Sequence, residues 1–526
     1  MATVPAAGVK TMNSADFTAG ADASWAALLW QAHRQYALQP AVRWPGGGWS
    51  WDEVMTHARG VAAWLHHLGV RKGDRVVIAL ENRPEVVCIE RALALWGAVR
   101  VATGARLHPH EISYIAQDCN ARVTIVENRL LPSLNVPGAI IAAEPCAEAA
   151  YSLPELFSTA PLPCPPTPKI VGSDLCSLMY TSGTTGRPKG AMNSHRAWHA
   201  MATQLRALLP SPGPGDVLLH AAPMSHFSGS VAAGYIAAGA ALATLRQWQP
   251  AQLAADADAV GATCVPLVPT MLHDLLDALR HGAPAPQLRV LPYGGSPVSA
   301  RLLTEAHARL GAVLQQFYGA SEALIPLTSL SIAEHTINDA RLTSAGQPHA
   351  GVEIMLLTPR DSGGEICVRG ANVMLGYWNN PAATAAAIDA EGWYHTGDIG
   401  RFDAQGRLHI VGRQREMLIS GGFNIYPAEL ERVIANLPGV AKVCVLGIPH
   451  PRWGEAVKAI IVPEPGYCLS EEEIINGCTA ELARYKKPQQ IEFVSELPLT
   501  GTGKVDKVRL LARENASHSE LQEKER

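Results

Sequence analysis

Several kinds of signal are missing from this 526-residue sequence, and each absence narrows what the chain can be. No apolar run approaches the ~18 residues of a membrane-spanning helix. The opening MATVPAAGVK has no basic stretch followed by an apolar core, so no secretory signal is expected, and residues 1–24 read as a loose leader. The ten cysteines are scattered, with no C-x-x-C pair and no zinc-ligand spacing, which predicts reduced, mostly buried thiols in a cytoplasmic protein. The formal net charge is −4 and no stripe of lysine and arginine is evident, so nucleic acid is not an expected partner. No internal repeat is found.

What is present is core-forming material. Hydrophobic residues make up 48% of the chain, too many for disorder, and the length predicts two or more domains. Val54, Ala58, Val61, Ala62, Leu65 and Leu68 recur at helical spacing from Trp51 until Gly69 stops them. Arg75–Leu80 and Arg122–Val126 read as strands, with helical stretches near 84–97 and 110–118. That alternation predicts parallel β-α-β layers. A proline-rich connector at 159–168 delivers the chain to an apolar strand at Leu175–Met179. A helix is expected over 194–209, renewed strand–helix alternation over 217–317, and a glycine-rich, strand-like region over 345–411. Beyond about residue 415, Pro427 opens a helix with Leu430, Val433, Ile434 and Leu437 on its apolar face. Ala441–Ile448, Val457–Val462 and Ile491–Val494 read as strands, and Ser470 with Glu473 is a capping box. The polar stretch 512–526 reads as frayed.

The stretch Tyr180-Thr181-Ser182-Gly183-Thr184-Thr185-Gly186-Arg187-Pro188-Lys189-Gly190 concentrates glycines, hydroxyls and two cations. Glycines expose backbone N–H groups to a ligand, hydroxyls add donors and Lys189 adds charge, a set suited to polyphosphate. It is not the common nucleotide P-loop, which needs Ser or Thr after the lysine. Five further motifs follow: Leu291-Pro292-Tyr293-Gly294-Gly295-Ser296-Pro297, Gln316-Phe317-Tyr318-Gly319-Ala320-Ser321-Glu322, Tyr394-His395-Thr396-Gly397-Asp398, Gly412-Arg413-Gln414-Arg415-Glu416, and Leu497-Pro498-Leu499-Thr500-Gly501-Thr502-Gly503-Lys504. Alone, each also fits an ordinary turn or a solvated loop.

Taken together and in this order, they resemble the adenylate-forming superfamily of acyl-CoA synthetases, adenylation domains and firefly luciferase, over about residues 25–512. The resemblance implies an α/β fold: a large N-terminal domain of layered parallel β-α-β sheets with a β-barrel-like portion (1–411), a hinge (412–416), and a small mobile α+β C-terminal domain (417–526). It implies that Thr181, Ser182, Gly183, Thr184, Thr185, Gly186 and Lys189 meet the ATP phosphates, and that Gly294, Gly295, Ser296, Tyr318 and Gly319 meet the adenine side. Asp398 would take the ribose hydroxyls, with Arg413 near the ribose or phosphate. Ser321, where the family has threonine, would donate to the α-phosphate. Glu322 would hold Mg2+. Lys504 would bridge the carboxylate and α-phosphate, and Arg415 would be the pivot.

The segment Pro223-Met224-Ser225-His226-Phe227-Ser228-Gly229 resembles the one beside the substrate carboxylate, which gives His226 a catalytic or pocket role. Tyr293, Leu324, Ile325 and Gln204 fall near the acyl pocket, whose mostly apolar lining predicts a hydrophobic acid. Gly421 and Gly422 resemble the turn beside the pantetheine tunnel, and Arg452 and Lys486 could meet the phosphates of CoA. The implied activity is an acid–thiol ligase using a carboxylic acid, ATP and CoA and passing through an acyl-adenylate. A loader of a separate carrier protein is the alternative, followed by a catalytically silent nucleotide-binding regulator. A luciferase-like oxygenase shares the fold, but no residue demands it. A homodimer is left open.

Overall fold

Ser50 accepts from the Glu53 amide while Glu53 reaches back to the Ser50 amide, and this reciprocal cap starts the helix Trp51–His67. Its buried stripe, Val54, Ala58, Val61, Ala62 and Leu65, holds all of the periodic set expected from sequence except Leu68, which is the half-buried residue just past the helix end. In the computed structural model, the residues described are 23–157, 162–181, 188–335, 340–360, 363–420, 423–450, 453–500 and 503–514. No helix among them is long and apolar enough to cross a membrane.

A seven-stranded sheet runs in the order Tyr151–Ser152, Ala139–Ala142, Val123–Val126, Arg75–Ala79, Val99–Ala102, Leu175–Thr181, Lys189–Ser194. Its first six strands are parallel, as the helix–strand alternation predicts. The seventh is antiparallel. The few residues after Thr181 allow only a hairpin return, because a parallel crossover needs a dozen or more.

A second sheet joins Val217–His220 and Ala241–Thr244 to Pro40–Trp44 and Gly47–Ser50. A third pairs Leu291–Gly294 with Leu314–Tyr318 in parallel and then turns antiparallel through Thr328–Leu330 and Gln347–Pro348. Bridges through Cys264 and Leu267 link these two sheets. The glycine-rich region forms a four-stranded antiparallel sheet: Val352–Arg360, Gly363–Gly370, Tyr394–Phe402, Leu408–Arg413.

The last part of the chain keeps its own core. Leu418, Ile425, Leu430, Ile434, Val440, Val445, Val457 and Ile474 pack together without a residue from the earlier sheets. Strands Val440–His450 and Gly454–Pro463 form its hairpin, and Gln490–Phe493 adds to it in parallel. Helix Pro427–Ala435 carries proline in its first turn, and Ser470 and Glu473 cap helix Glu471–Glu481 reciprocally. The fold is thus a large α/β unit followed by a smaller α+β unit. All ten cysteines are free, and most are buried.

Candidate active site

The hairpin that delivers the Thr/Gly-rich loop sets Thr181 opposite Lys189. Ser182, Gly183, Thr184, Thr185 and Gly186 lie outside the described residues. The Lys189 ammonium sits 5.4 Å from the centre of the Tyr377 ring, and the Tyr377 hydroxyl donates to Glu322 Oε1 at 3.0 Å. Backbone contacts fix this acidic segment. The Met374 amide donates to the Glu322 carbonyl at 2.8 Å, and Asn193 Nδ2 donates to the Ser321 carbonyl at 3.0 Å. Gly319 lets the chain fold back there, since a Cβ would come within 2.9 Å of the Ile325 amide. Tyr377 has no counterpart among the sequence expectations. It sits in the irregular stretch after Gly370, where no periodicity marks it.

Tyr318 and Asp398 meet from different sheets. The Tyr318 hydroxyl donates to Asp398 Oδ2 at 2.7 Å, and Arg413 Nε lies 3.0 Å from Asp398 Oδ1. Burial and the neighbouring carboxylate push the Tyr318 phenol far above its ordinary pKa, so it stays a donor. The Asp398 carboxylate is buried and held on both oxygens. Gly397, at φ +68°, turns the backbone that presents it, and the Thr396 hydroxyl accepts from the Asp398 amide at 3.0 Å.

Gly294 and Gly295 end the neighbouring strand. A Cβ on Gly294 would stand 2.4 Å from the Phe317 carbonyl and 3.1 Å from the Phe227 ring. Gly295 has φ +89° and is exposed, as is Ser296. Lys504 arrives here from the small unit: a Cβ on Gly295 would lie 4.0 Å from Lys504 Cε. Behind it, Gly503 at φ +82° faces Thr270 of the large unit, which a Cβ would approach to 3.4 Å.

Lys504 is exposed, and protein groups around its ammonium desolvate it in part. That desolvation, together with Arg413, lowers its pKa, against the pull of Asp398, Glu322 and Glu416. Its ammonium makes no hydrogen bond among the described residues. A cation so placed, beside carboxylates and cations on both sides, can stabilise negative charge on an incoming group.

His226 begins the helix Phe227–Ala237, and its ring Nδ1 is 2.6 Å from the Ser225 hydroxyl. Burial, then Arg100 and Lys504, lowers its pKa to about 4, so the imidazole is neutral near pH 7. Arg100 is a further residue that the sequence did not signal. Leu324 and Ile325 are buried in the main core with Phe317, and Phe227 packs against that core. Gln204 is buried and accepts from Asn372 Nδ2 at 2.9 Å, which also donates to the Leu324 carbonyl. Tyr293 is buried, its hydroxyl 2.9 Å from His335 Nε2.

Arg415 lies in the single 3₁₀ turn Gln414–Glu416 between the last large-unit strand and the small unit. Its neighbour Glu416 pairs with Lys507 of the small unit at 2.8 Å. Lys486 is bonded to Glu429 at 2.7 Å in this arrangement. Gly421, Gly422 and Arg452 lie outside the described residues.

Residues 29–378 match the AMP-binding enzyme family, and residues 429–504 match the C-terminal domain of AMP-binding enzymes. The chain belongs to the AMP-binding enzyme family. It is 34% identical over 487 residues to a feruloyl-CoA synthase of Amycolatopsis, covering 88% of this chain and 94% of that one. It is 32% identical over 485 residues to ScoC of Streptomyces coeruleorubidus, a fatty acid–[acyl-carrier-protein] ligase, covering 89% and 92%. ATP-bound MatB from Rhodopseudomonas palustris superimposes with a TM-score of 0.80 at 28% identity, covering 94% of this chain and 99% of that one.

Proposed function

We propose that this enzyme is an AMP-forming ligase that joins a hydrophobic carboxylic acid to coenzyme A. A carboxylate oxygen attacks the α-phosphorus of ATP, the bond to pyrophosphate breaks, and an acyl-adenylate remains. The CoA sulfur then attacks the acyl carbon, the bond to AMP breaks, and the thiol proton leaves to solvent. The observation that carries this reading is Lys504, which the small unit presents beside Gly295 amid Arg413, Asp398 and Glu322. A mobile cation at that point serves the charge that builds on the phosphate during attack.

In this reading the loop from Thr181 to Lys189 cradles the phosphates, Ser321 donates to the α-phosphate, and Tyr318, Gly294, Gly295 and Ser296 flank the adenine. Asp398 exchanges part of its present bonding for the ribose hydroxyls. Glu322 suits Mg2+: it offers hard oxygens, and Tyr377 engages only Oε1 among the described residues. Held by Glu322, Mg2+ would supply positive charge against the triphosphate. Neutral His226 borders the acid's carboxylate, and Phe227, Leu324 and Ile325 supply an apolar wall. The small domain, residues 417–526, turns about Arg415 for thioester formation. Gly421, Gly422 and Arg452 then face CoA, with Lys486 joining them if it leaves Glu429. We place the enzyme in the cytoplasm.

A carrier-protein loader is the second reading, favoured by the similarity to ScoC. One experiment separates the readings. Pyrophosphate release is measured with aromatic, alicyclic and aliphatic acids, and thioester is then assayed with free CoA and with a phosphopantetheinylated carrier. Thioester on free CoA is expected. Pyrophosphate release with thioester only on the carrier would install the second reading, and no release with any acid would remove both.

A further inference from the structure

The sequence carries no zinc-ligand spacing, yet the sheet assembles in space what the linear order scatters. Glu365 and Cys367 alternate on one strand, so they share a face. Cys367 is the direct cross-strand partner of His395. The pairing then shifts register, and the extra residues of the second strand form the bulge that carries Gly397 and Asp398. Beneath that bulge, His395 Nδ1 lies 3.2 Å from Glu365 Oε2 and 3.6 Å from Cys367 Sγ. One ligand atom from each of the three residues falls within 4.8 Å of the others.

The two separations from His395 Nδ1 match the edges of a tetrahedral coordination shell. With bonds of about 2.0–2.1 Å to N and O and about 2.3 Å to S, tetrahedral edges come to about 3.3 Å for N···O and about 3.6 Å for N···S. Without an ion, His395 Nδ1 serves the Glu365 carboxylate and the Cys367 thiol reaches the Glu365 carbonyl at 3.9 Å, so a bound ion would replace these contacts with ligand bonds. The surroundings are also those of a held ligand. His395 Nε2 faces Asp389 Oδ2 at 3.4 Å, the carboxylate–histidine pairing that orients metal-bound imidazoles. Glu365 Oε1 accepts from the Gly397 amide at 3.2 Å, which fixes the carboxylate with Oε2 toward the cluster. His395 and Glu365 are 25% and 17% exposed, so an ion can reach a thiol that is itself buried.

We propose that Glu365, Cys367 and His395 form a site for a borderline divalent cation of the zinc class, with a water as fourth ligand and Asp389 as the orienting carboxylate. Thiolate and imidazole select such ions over Mg2+ or Ca2+. Binding expels the Cys367 thiol proton to solvent. Affinity therefore falls as pH falls. The ion would clamp the strand Gly363–Gly370 to the bulge that presents Asp398.

The test uses the full chain, reduced and stripped with chelator, titrated with Co2+ and then Zn2+. A 1:1 thiolate-to-cobalt charge-transfer band with tetrahedral visible bands, both erased by Zn2+, is expected. Cys367→Ser should lose the charge-transfer band. His395→Gln, altered at a partly exposed position, should weaken binding without depending on how the core tolerates serine. Asp389→Asn should lower affinity about 10–100-fold while leaving the spectrum's shape. No band in the parent protein would overturn the proposal. So would a band that survives in both Cys367→Ser and His395→Gln, which would put the ion on an exposed thiol such as Cys164 or Cys468.

Discussion

Arg301 of the large unit reaches across to Glu464 of the small one, Nη1 to Oε1 at 2.7 Å. The same residue donates from Nη2 to the Val440 carbonyl, from Nε to the Ala435 carbonyl at 3.4 Å, and from its amide to Asn436 Oδ1 at 3.2 Å. One residue thus ties together the end of helix Pro427–Ala435 and the open end of the hairpin, where Val440 pairs with Pro463. This is the arrangement in which Lys504 stands at Gly295, so Arg301 acts as a latch on it. Charged hydrogen bonds are worth ~1.5–3 kcal/mol each when one partner is removed. Arg301→Ala should slow adenylate formation about tenfold or more and leave conversion of supplied acyl-adenylate unchanged or faster. Single-turnover rates of the two half-reactions check it. Equal losses in both would reduce Arg301 to a structural role.

The Tyr318–Asp398 bond predicts a nucleotide effect. Tyr318→Phe keeps the ring and removes one donor from a buried carboxylate, leaving Arg413 as the remaining cationic partner of Asp398. A lost bond of ~1–3 kcal/mol should raise the KM for ATP roughly five- to a hundredfold. The KM for the acid should shift less. Parallel losses for both substrates would mean that the ring, not the hydroxyl, matters.

Much of this was legible before any coordinates. The capping box at Ser470 and Glu473 carries both halves of its geometry in the sequence, as does the Ser50–Glu53 box that the structure reveals, and buried stripes repeat at the helical period. The nucleotide motifs stood out as an ordered set that resembles a family, since each alone also fits an ordinary turn. What escaped was cross-chain. Tyr377 comes to Glu322 and Lys189 through an irregular segment with no period to follow. Cys367 and His395 meet only because two strands adopt one register, which alternation within either strand cannot specify. The antiparallel Lys189–Ser194 was a matter of loop length rather than pattern. The approach of Lys504 to Gly295 depends on how two units dock, about which neither motif carries information.

Acid sensitivity follows from buried histidines. His195 and His220 are fully buried, both ring nitrogens of His195 and Nε2 of His220 have no hydrogen-bond partner among the described residues, and burial lowers their pKa values to about 4 and about 3. In the unfolded chain they titrate near 6.5. Below that value the unfolded state binds more protons, so stability is complete above about pH 6.5 and drains as pH falls toward 4. At pH 5 each group should cost on the order of 2 kcal/mol. Urea unfolding at pH 7.5 and pH 5 should show the loss, and His195→Phe, which fills the same space without a titrating group, should shrink it. Identical midpoints at the two pH values would contradict the assignment of neutral, buried rings.

The last prediction isolates Lys504. Its ammonium has no hydrogen bond among the described residues, and its carrier loop rests on Thr270 through Gly503. Removing the charge should therefore disturb chemistry without disturbing docking. Loss of one positioned donor from a charge-stabilising site costs ~10²–10³ in rate. Lys504→Ala should slow acyl-adenylate formation by at least that factor, with little change in melting temperature. Supplied acyl-adenylate and CoA should still give thioester at close to the parent rate, because in the proposed cycle the small domain would by then have carried Lys504 away. Arg415→Pro should do the reverse if the locked pivot holds the present arrangement. Proline confines φ to about −65°, so adenylate would form and thioester would not. Each variant is run through both half-reactions under single-turnover conditions. Should Lys504→Ala slow thioester formation from supplied adenylate as much as it slows adenylation, one fixed site would serve both steps and the rotation about Gln414–Glu416 would be unnecessary.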